Sequence, residues 1–160
     1  MSKSLVGFVI FGTLVGLMMP GGRSSRSEEP EATSTTYSAV PVETRVRRSQ
    51  AGHFYVHALV NGQLVRFVVD TGATTVALTP EDAERAGVKV DPSSFEVVGM
   101  GAAGPIRGQI VQLDSVNLDG KQVNHLRAMV LDGADISLLG QNYLSRIRSV
   151  QMAGDEMILR

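Results

Sequence analysis

Apolar and polar residues alternate through most of the chain from residue 53 onward. Phe54, Val56, Ala58 and Val60 fall on one face of an extended segment, and Val65, Phe67 and Val69 on one face of the next. A period of two is that of a strand buried on one side. Asn61-Gly62 between these runs predicts a tight hairpin, since the favoured two-residue turn needs positive φ at both central positions. Val76-Ala77-Leu78 reads as a short strand. Thr79-Pro80-Glu81-Asp82 then has the cap, the early Pro and the early acids of a helix start, with Gly87 as its stop. Pro105 to Leu113 alternates again, and Ser115-Val116-Asn117-Leu118 runs into Asp119-Gly120, a second hairpin turn before the apolar run Leu126 to Leu131. A polar turn, Asp132 to Asp135, precedes Leu138-Leu139-Gly140, and Gln141 to Ile147 is the second helix candidate. Val150 to Met152 and Met157 to Leu159 form a closing hairpin around Ala153 to Glu156.

The first 50 residues follow a different pattern. Ser4 to Met19 is uncharged and rich in Leu, Val, Ile, Phe and Met, and Pro20-Gly21-Gly22 closes it. Its length falls at the border between a signal peptide and a span of about 20 apolar residues, and no Ala-x-Ala-type cleavage site ends it. The reading is an uncleaved single-pass anchor over residues 1–22, with Lys3 on one side and Arg23 and Arg26 on the other leaving orientation balanced. Residues 23–50 are rich in Ser, Thr, Glu, Pro and Arg and poor in large apolar residues, which predicts a flexible linker. Arg45-Val46-Arg47-Arg48 is read as its solvated basic end.

Composition narrows the chemistry. With 43% apolar residues, 160 residues suffice for one folded domain after the anchor and linker. A net charge of −1 provides no basic field for nucleic acid. Cysteine is absent, which excludes disulfides, thiol catalysis and thiolate metal sites. Only His53, His57 and His125 could serve a zinc site, and two of them on one strand do not supply three converging ligands. No Gly-x-Ser-x-Gly elbow occurs. Gly99-Met100-Gly101-Ala102-Ala103-Gly104 matches a dinucleotide fingerprint in spelling, but that motif must open a helix, and a strand pattern follows here. A Gly-rich tip joining two strands describes a mobile hairpin.

The most informative stretch is Phe67-Val68-Val69-Asp70-Thr71-Gly72-Ala73-Thr74, in which a β-branched strand delivers a carboxylate to a turn of small residues. An Asp-Thr-Gly turn can also be purely structural, its acid bonded to nearby backbone amides. Two apolar residues followed by Asp-Thr-Gly-Ala-Thr, however, resemble the active-site signature of retropepsin-type (clan AA) aspartic proteases. Ile136-Ser137-Leu138-Leu139-Gly140-Gln141-Asn142-Tyr143-Leu144 resembles that family's second apolar segment, which ends in Gly before a short helix. The resemblance spans residues 51–160 and is closest to the bacterial, membrane-anchored, single-domain type.

The resemblance implies an all-β domain, a closed β-barrel with one or two short helices, following a transmembrane helix. It implies an aspartic endopeptidase without cofactor or metal, with a peptide or protein as substrate. Asp70 would be the catalytic acid/base, Thr71 would bond across a dimer axis, and Gly72 would lie close to substrate. Ala73 and Thr74 would shape the loop, while Met100, Gly101, Ala102, Ala103 and Gly104 would form a flap over the peptide. Leu138, Leu139 and Gly140 would brace the loop from beneath. Gln141-Asn142-Tyr143 departs from the family's commoner apolar residue and Phe, which bears on packing under the loop.

Aspartic proteolysis needs two carboxylates sharing a proton. This chain supplies one such loop, because Asp132-Gly133-Ala134 lacks the Thr. The expectation is therefore a homodimer with one Asp70 from each copy; the resemblance further implies chain ends that pair across the dimer, and with the anchor it implies a bacterial inner-membrane protein with the domain in the periplasm. The alternative is a membrane-tethered retropepsin-like module that binds peptides or dimerises without turnover.

Overall fold

A computed structural model of the chain describes residues 40–101 and 104–160. The anchor expected over residues 1–22, the linker as far as residue 39, and Ala102 and Ala103 of the expected flap lie outside the described residues. No helix among the described residues is long and apolar enough to cross a membrane.

The strands are β1 (Thr44–Arg47), β2 (Tyr55–Val60), β3 (Gln63–Val69), β4 (Val76–Leu78), β5 (Glu96–Gly101), β6 (Gly104–Leu118), β7 (Lys121–Leu131), β8 (Ser137–Leu139), β9 (Val150–Ala153) and β10 (Glu156–Leu159). Two short helices, α1 (Pro80–Arg85) and α2 (Gln141–Leu144), follow β4 and β8. Strands β2, β3, β8, β4, β7 and β6 lie side by side, and pairing of Leu59 and Val60 with Asn117 and Val116 joins the last to the first. The result is a closed six-stranded barrel, as the retropepsin resemblance implied. Closure removes the open edges that an antiparallel sheet otherwise exposes.

The alternation read from the sequence is the barrel's inside and outside. Val56, Ala58, Val60, Val65 and Phe67 are all at most 3% exposed, whereas their neighbours His57, Leu59, Leu64 and Arg66 face out. Both hairpin turns have positive φ at their two central residues, Asn61 and Gly62 at 50° and 83°, Asp119 and Gly120 at 50° and 83°. Asn61 does more than turn the chain. Its Oδ1 accepts from the amides of Asp114 and Ser115, and its Nδ2 donates to Ala86, which ties the hairpin to β6 and to the end of α1. Helix α1 begins as expected, with the Thr79 hydroxyl accepting from the Asp82 amide and Pro80 in the first turn.

Two sequence expectations are corrected. Residues 44–47, assigned to the flexible linker, form β1 and pair with β10 from Thr44↔Leu159 to Arg47↔Glu156. Val46 packs against the core, Arg45 reaches Glu156, and the Arg48 guanidinium sits 4.5 Å over the Phe54 ring. The basic run is thus docked by long-range contacts that its own composition does not reveal. The second correction concerns α2, which ends at Leu144 and not at Ile147. The Arg146 amide turns back to Tyr143, tightening the chain, and Ile147 packs on the core. Strands β1, β10 and β9, in that order, make a second, three-stranded antiparallel sheet.

Candidate active site

Strand β3 carries Asp70 out of the barrel beside β8, its parallel neighbour, with Phe67, Val68 and Val69 opposite Ser137, Leu138 and Leu139. The Asp70 amide continues that ladder by donating to the Leu139 carbonyl at 3.1 Å. Beyond it the chain reverses sharply. Asp70 Oδ1 accepts from the Gly72 amide at 2.8 Å and the Ala73 amide at 3.3 Å, and no donor among the described residues reaches Oδ2. A Cβ at Gly72 would lie 3.2 Å from Asp70 Oδ1, so any larger residue there would push on the carboxylate that the loop holds. One carboxylate oxygen is fixed by backbone donors, and the other accepts no hydrogen bond among the described residues.

The loop is held from beneath by a second segment. Gly140 lies so close that a Cβ would meet the Thr75 carbonyl oxygen at 2.3 Å and the Ala73 carbonyl oxygen at 2.9 Å. This contact lets the Gln141 amide donate to Ala73 O at 2.8 Å and the Asn142 amide to Thr74 O at 3.1 Å. The side chains add to the clamp. Gln141 Nε2 donates to Thr71 O at 2.9 Å, Asn142 Oδ1 accepts from the Val76 amide at 2.9 Å, and Asn142 Nδ2 donates to Arg127 O at 2.7 Å. The residues read as a departure from the family's apolar pattern therefore replace packing with hydrogen bonds. Tyr143 stays in the core, fully buried, its hydroxyl donating to Lys121 O at 2.6 Å. Burial pushes its phenol well above the ordinary tyrosine range.

Above the loop lies the hairpin of β5 and β6, with Met100 opposite Pro105 and Gly101 opposite Gly104. Between hairpin and loop is a cavity of about 490 Å³, lined by Asp70, Gly72, Ala73 and Thr74 on one side and Val98, Gly99, Met100 and Ile106 on the other. Ala77, Met129, Leu131 and Leu138 complete the wall, and Asp70 is its one acid. Leu138 thus faces the cavity, whereas Leu139 is fully buried behind the loop. Met100 is 73% exposed. Thr71 is exposed, and its hydroxyl finds no partner among the described residues. Among the described residues no three or more His, Asp or Glu side chains converge.

The sequence reading missed Val98, Ile106, Met129 and Leu131 as cavity residues, and Gln141 and Asn142 as parts of the brace. Met129 and Leu131 alternate with the core residues Ala128 and Val130 and so lie on the opposite face of β7, while Val98 and Ile106 lie on the β5–β6 hairpin; only the folded chain shows that these positions meet at the Asp70 loop. Gln141 and Asn142 carried a signal, namely polar residues beside a Gly where a core was expected.

A family model described as "Aspartyl protease" matches residues 56–143. An uncharacterized protein of Rickettsia prowazekii (strain Madrid E) is 36% identical over 118 residues, covering 73% of this chain and 51% of that protein. An uncharacterized protein of Sinorhizobium is 35% identical over 131 residues, covering 81% and 56%. The chain spans about half the length of these curated relatives. Among solved structures, a retropepsin-like aspartic protease from Rickettsia conorii is 34% identical with a TM-score of 0.62, covering 74% of this chain and 89% of that one. EIAV protease, solved with an inhibitor, shares the fold at 19% identity and a TM-score of 0.51, covering 62% and 91%.

Proposed function

Because the chain belongs to the retropepsin-like aspartic protease family, we propose that it is an endopeptidase whose active site is assembled from two copies, each contributing Asp70. The observation that carries this reading is a carboxylate held by backbone donors on one oxygen, lining a cavity that has no second acid among its described residues. Two such groups brought together about a twofold axis cannot both ionise freely and share one proton. The unprotonated Asp70 takes a proton from a water placed between the pair. That water attacks the peptide carbonyl carbon, and the other Asp70 protonates the carbonyl oxygen. The Asp70 that took the water's proton then gives it to the amide nitrogen while its partner takes a proton back from a hydroxyl of the tetrahedral diol; the C–N bond breaks, an amine and a carboxylic acid leave, and the pair again holds one proton.

Each remaining part of the site has a role in this reading. Thr71 offers its hydroxyl to the partner copy, Gly72 lets the substrate backbone approach, and Ala73 and Thr74 shape the floor. Met100, Gly101 and Gly104, with Ala102 and Ala103 between them in sequence, close over the peptide. Leu138, Leu139 and Gly140 fix the loop, aided by Gln141 and Asn142. The walls are apolar, so the side chains flanking the scissile bond are apolar as well. The uncharged run Ser4–Met19 supports a membrane anchor over residues 1–22, with the domain on the periplasmic side of a bacterial inner membrane.

Cleavage of a denatured protein mixture by the full chain tests this function. Products cut between apolar residues, at a rate rising faster than the first power of enzyme concentration, are expected. Turnover by a species that sedimentation shows to be a monomer would overturn the two-copy site.

A further inference from the structure

We propose that a second cavity, lined by Lys121, Arg146 and Arg148, binds a phosphate group, carried by an anionic lipid headgroup or by a free phosphate ester. The inference stands apart from the protease reading, because this cavity shares no residue with the one that Asp70 lines. Its volume is about 590 Å³, in the range of sites that hold small organic molecules. Lys121, Arg146, Arg148 and Arg160 line it, against one acid, Glu43. Glu43 is already engaged, by Arg45 and by Arg160 at 2.6 Å each. Lys121, Arg146 and Arg148 make no ion pair among the described residues. Three positive charges thus meet in one cavity with no lining acid left to answer them.

Lys121 is only 5% exposed, and a lysine is almost never buried so fully without an ionic partner. Its Nζ donates to Val42 O at 2.5 Å and to Thr44 Oγ1 at 2.9 Å, which uses two of its three N–H groups. Asp119 lies nearby, but its carboxylate accepts from the Thr44 hydroxyl. Burial holds the Lys121 ammonium below the ordinary lysine range, against a smaller opposing pull from Asp119. An anion beside it offsets that cost. Arg146 and Arg148 are held in place by the backbone. The Arg146 amide donates to Tyr143 O at 2.9 Å, and Ser149 and Arg160 exchange hydrogen bonds at 3.2 and 3.0 Å, so the segment is pinned at both ends. Ile147 packs on the core between the two arginines, which both stay exposed. Two guanidinium groups and an ammonium suit the several oxygens of a phosphate, since each Arg can engage two of them. Pro41, Val42, Val123 and Ile147 give the cavity an apolar side, fit for the glycerol and first acyl carbons of a lipid. The chain enters the domain here, through Pro41, Val42 and Glu43, so an anchor upstream raises the effective concentration of headgroups at the site.

The test uses the full chain with Asp70→Asn, so that cleavage plays no part in the readout. In neutral detergent, inorganic phosphate should raise the unfolding midpoint of this chain more than that of its Arg146→Ser/Arg148→Ser form, with sodium chloride at equal ionic strength as the reference. The difference between the two chains is what counts, because phosphate also stabilises proteins without binding them. In phosphate-free detergent Arg146 and Arg148 should react with phenylglyoxal as fast as the exposed Arg47. In vesicles of phosphatidylcholine and phosphatidylglycerol they should react about tenfold more slowly, as nine-tenths occupancy gives, while Arg47 changes little. A midpoint difference with phosphate but no slowing in these vesicles keeps the site and makes a free phosphate ester its ligand. Equal midpoint shifts in both chains, with both arginines reactive in the vesicles, overturn it. Slow reaction already in phosphate-free detergent, made fast by Glu28→Gln/Glu29→Gln/Glu31→Gln, also overturns it, with the chain's own acidic run as the occupant. A chain that binds phosphate here and cleaves nothing would count against the endopeptidase reading alone.

Discussion

Gly140→Ala is the substitution that most sharply probes how the site is built. Gly140 has φ −91° and ψ −179°, a conformation open to any residue, so the cost of a methyl group there is steric and not conformational. The added Cβ would lie 2.3 Å from the Thr75 carbonyl oxygen, 2.5 Å from its carbon and 2.9 Å from the Ala73 carbonyl oxygen. All three are backbone atoms and cannot rotate away. Relief to an ordinary contact of about 3.4 Å needs a shift of about 1 Å between the two segments, which separates the Gln141 amide from Ala73 O and the Asn142 amide from Thr74 O. Overpacking of this kind costs about 1–3 kcal/mol, and each weakened neutral hydrogen bond adds about 1 kcal/mol. The expected loss of stability is on the order of 2–5 kcal/mol, read as a lowered urea midpoint. Because the same shift moves the loop that carries Asp70, kcat/KM should fall about 100-fold. Gly99→Ala serves as the stability control, since nothing lies within 4 Å of its would-be Cβ. A Gly140→Ala protein with the parent's urea midpoint and unchanged cleavage would refute the bracing argument.

Asn142→Ala should lower stability by about 1–3 kcal/mol, because the Val76 amide and the Arg127 carbonyl lose their partner together, and urea titration reads the loss. Ser137→Ala should cost a similar amount, about 1–3 kcal/mol by calorimetry, since the buried hydroxyl links the Thr79 amide at 3.1 Å to Asp82 Oδ2 at 2.5 Å. Tyr143 contributes to stability at alkaline pH. Its folded pKa is raised by burial, so its contribution is intact below the unfolded value of about 10 and is lost as pH rises beyond it. Tyr143→Phe should be slightly less stable than the parent at neutral pH yet lose less between pH 9 and 11, about where the phenol begins to titrate, as followed by thermal melts.

What the sequence revealed and what it concealed divide along physical lines. Asn61-Gly62 and Asp119-Gly120 announced their hairpins because positive φ is a local demand that few residues meet. The inward face of β2 and β3 was legible for the same reason, since strand periodicity is local. Strand β1 was hidden, because Thr44 to Arg47 finds its partner β10 near the far end of the chain and only Val46 marks an apolar side. The cavity residues Met129 and Leu131 were hidden likewise. Their role depends on parallel pairing of β4 with β7, a contact between distant segments. The Asp70 loop and Gly140 stood out through resemblance, whereas Gln141 and Asn142 were seen only as exceptions. The hydrogen bonds explain why polar residues belong there.

Mixing active and inactive subunits tests the central claim most directly. Asp70→Asn alone should retain the parent's fold and sedimentation while cleavage is lost, because the substitution is nearly isosteric and removes the acid. Co-expressed with the parent in equal amounts, it should form mixed dimers, so the activity per total chain pair should fall to about one quarter, the share of dimers with two intact Asp70 residues. A residual activity of about one half, as expected if each chain works alone, or full activity of Asp70→Asn by itself, would contradict a catalytic pair made from two copies of Asp70.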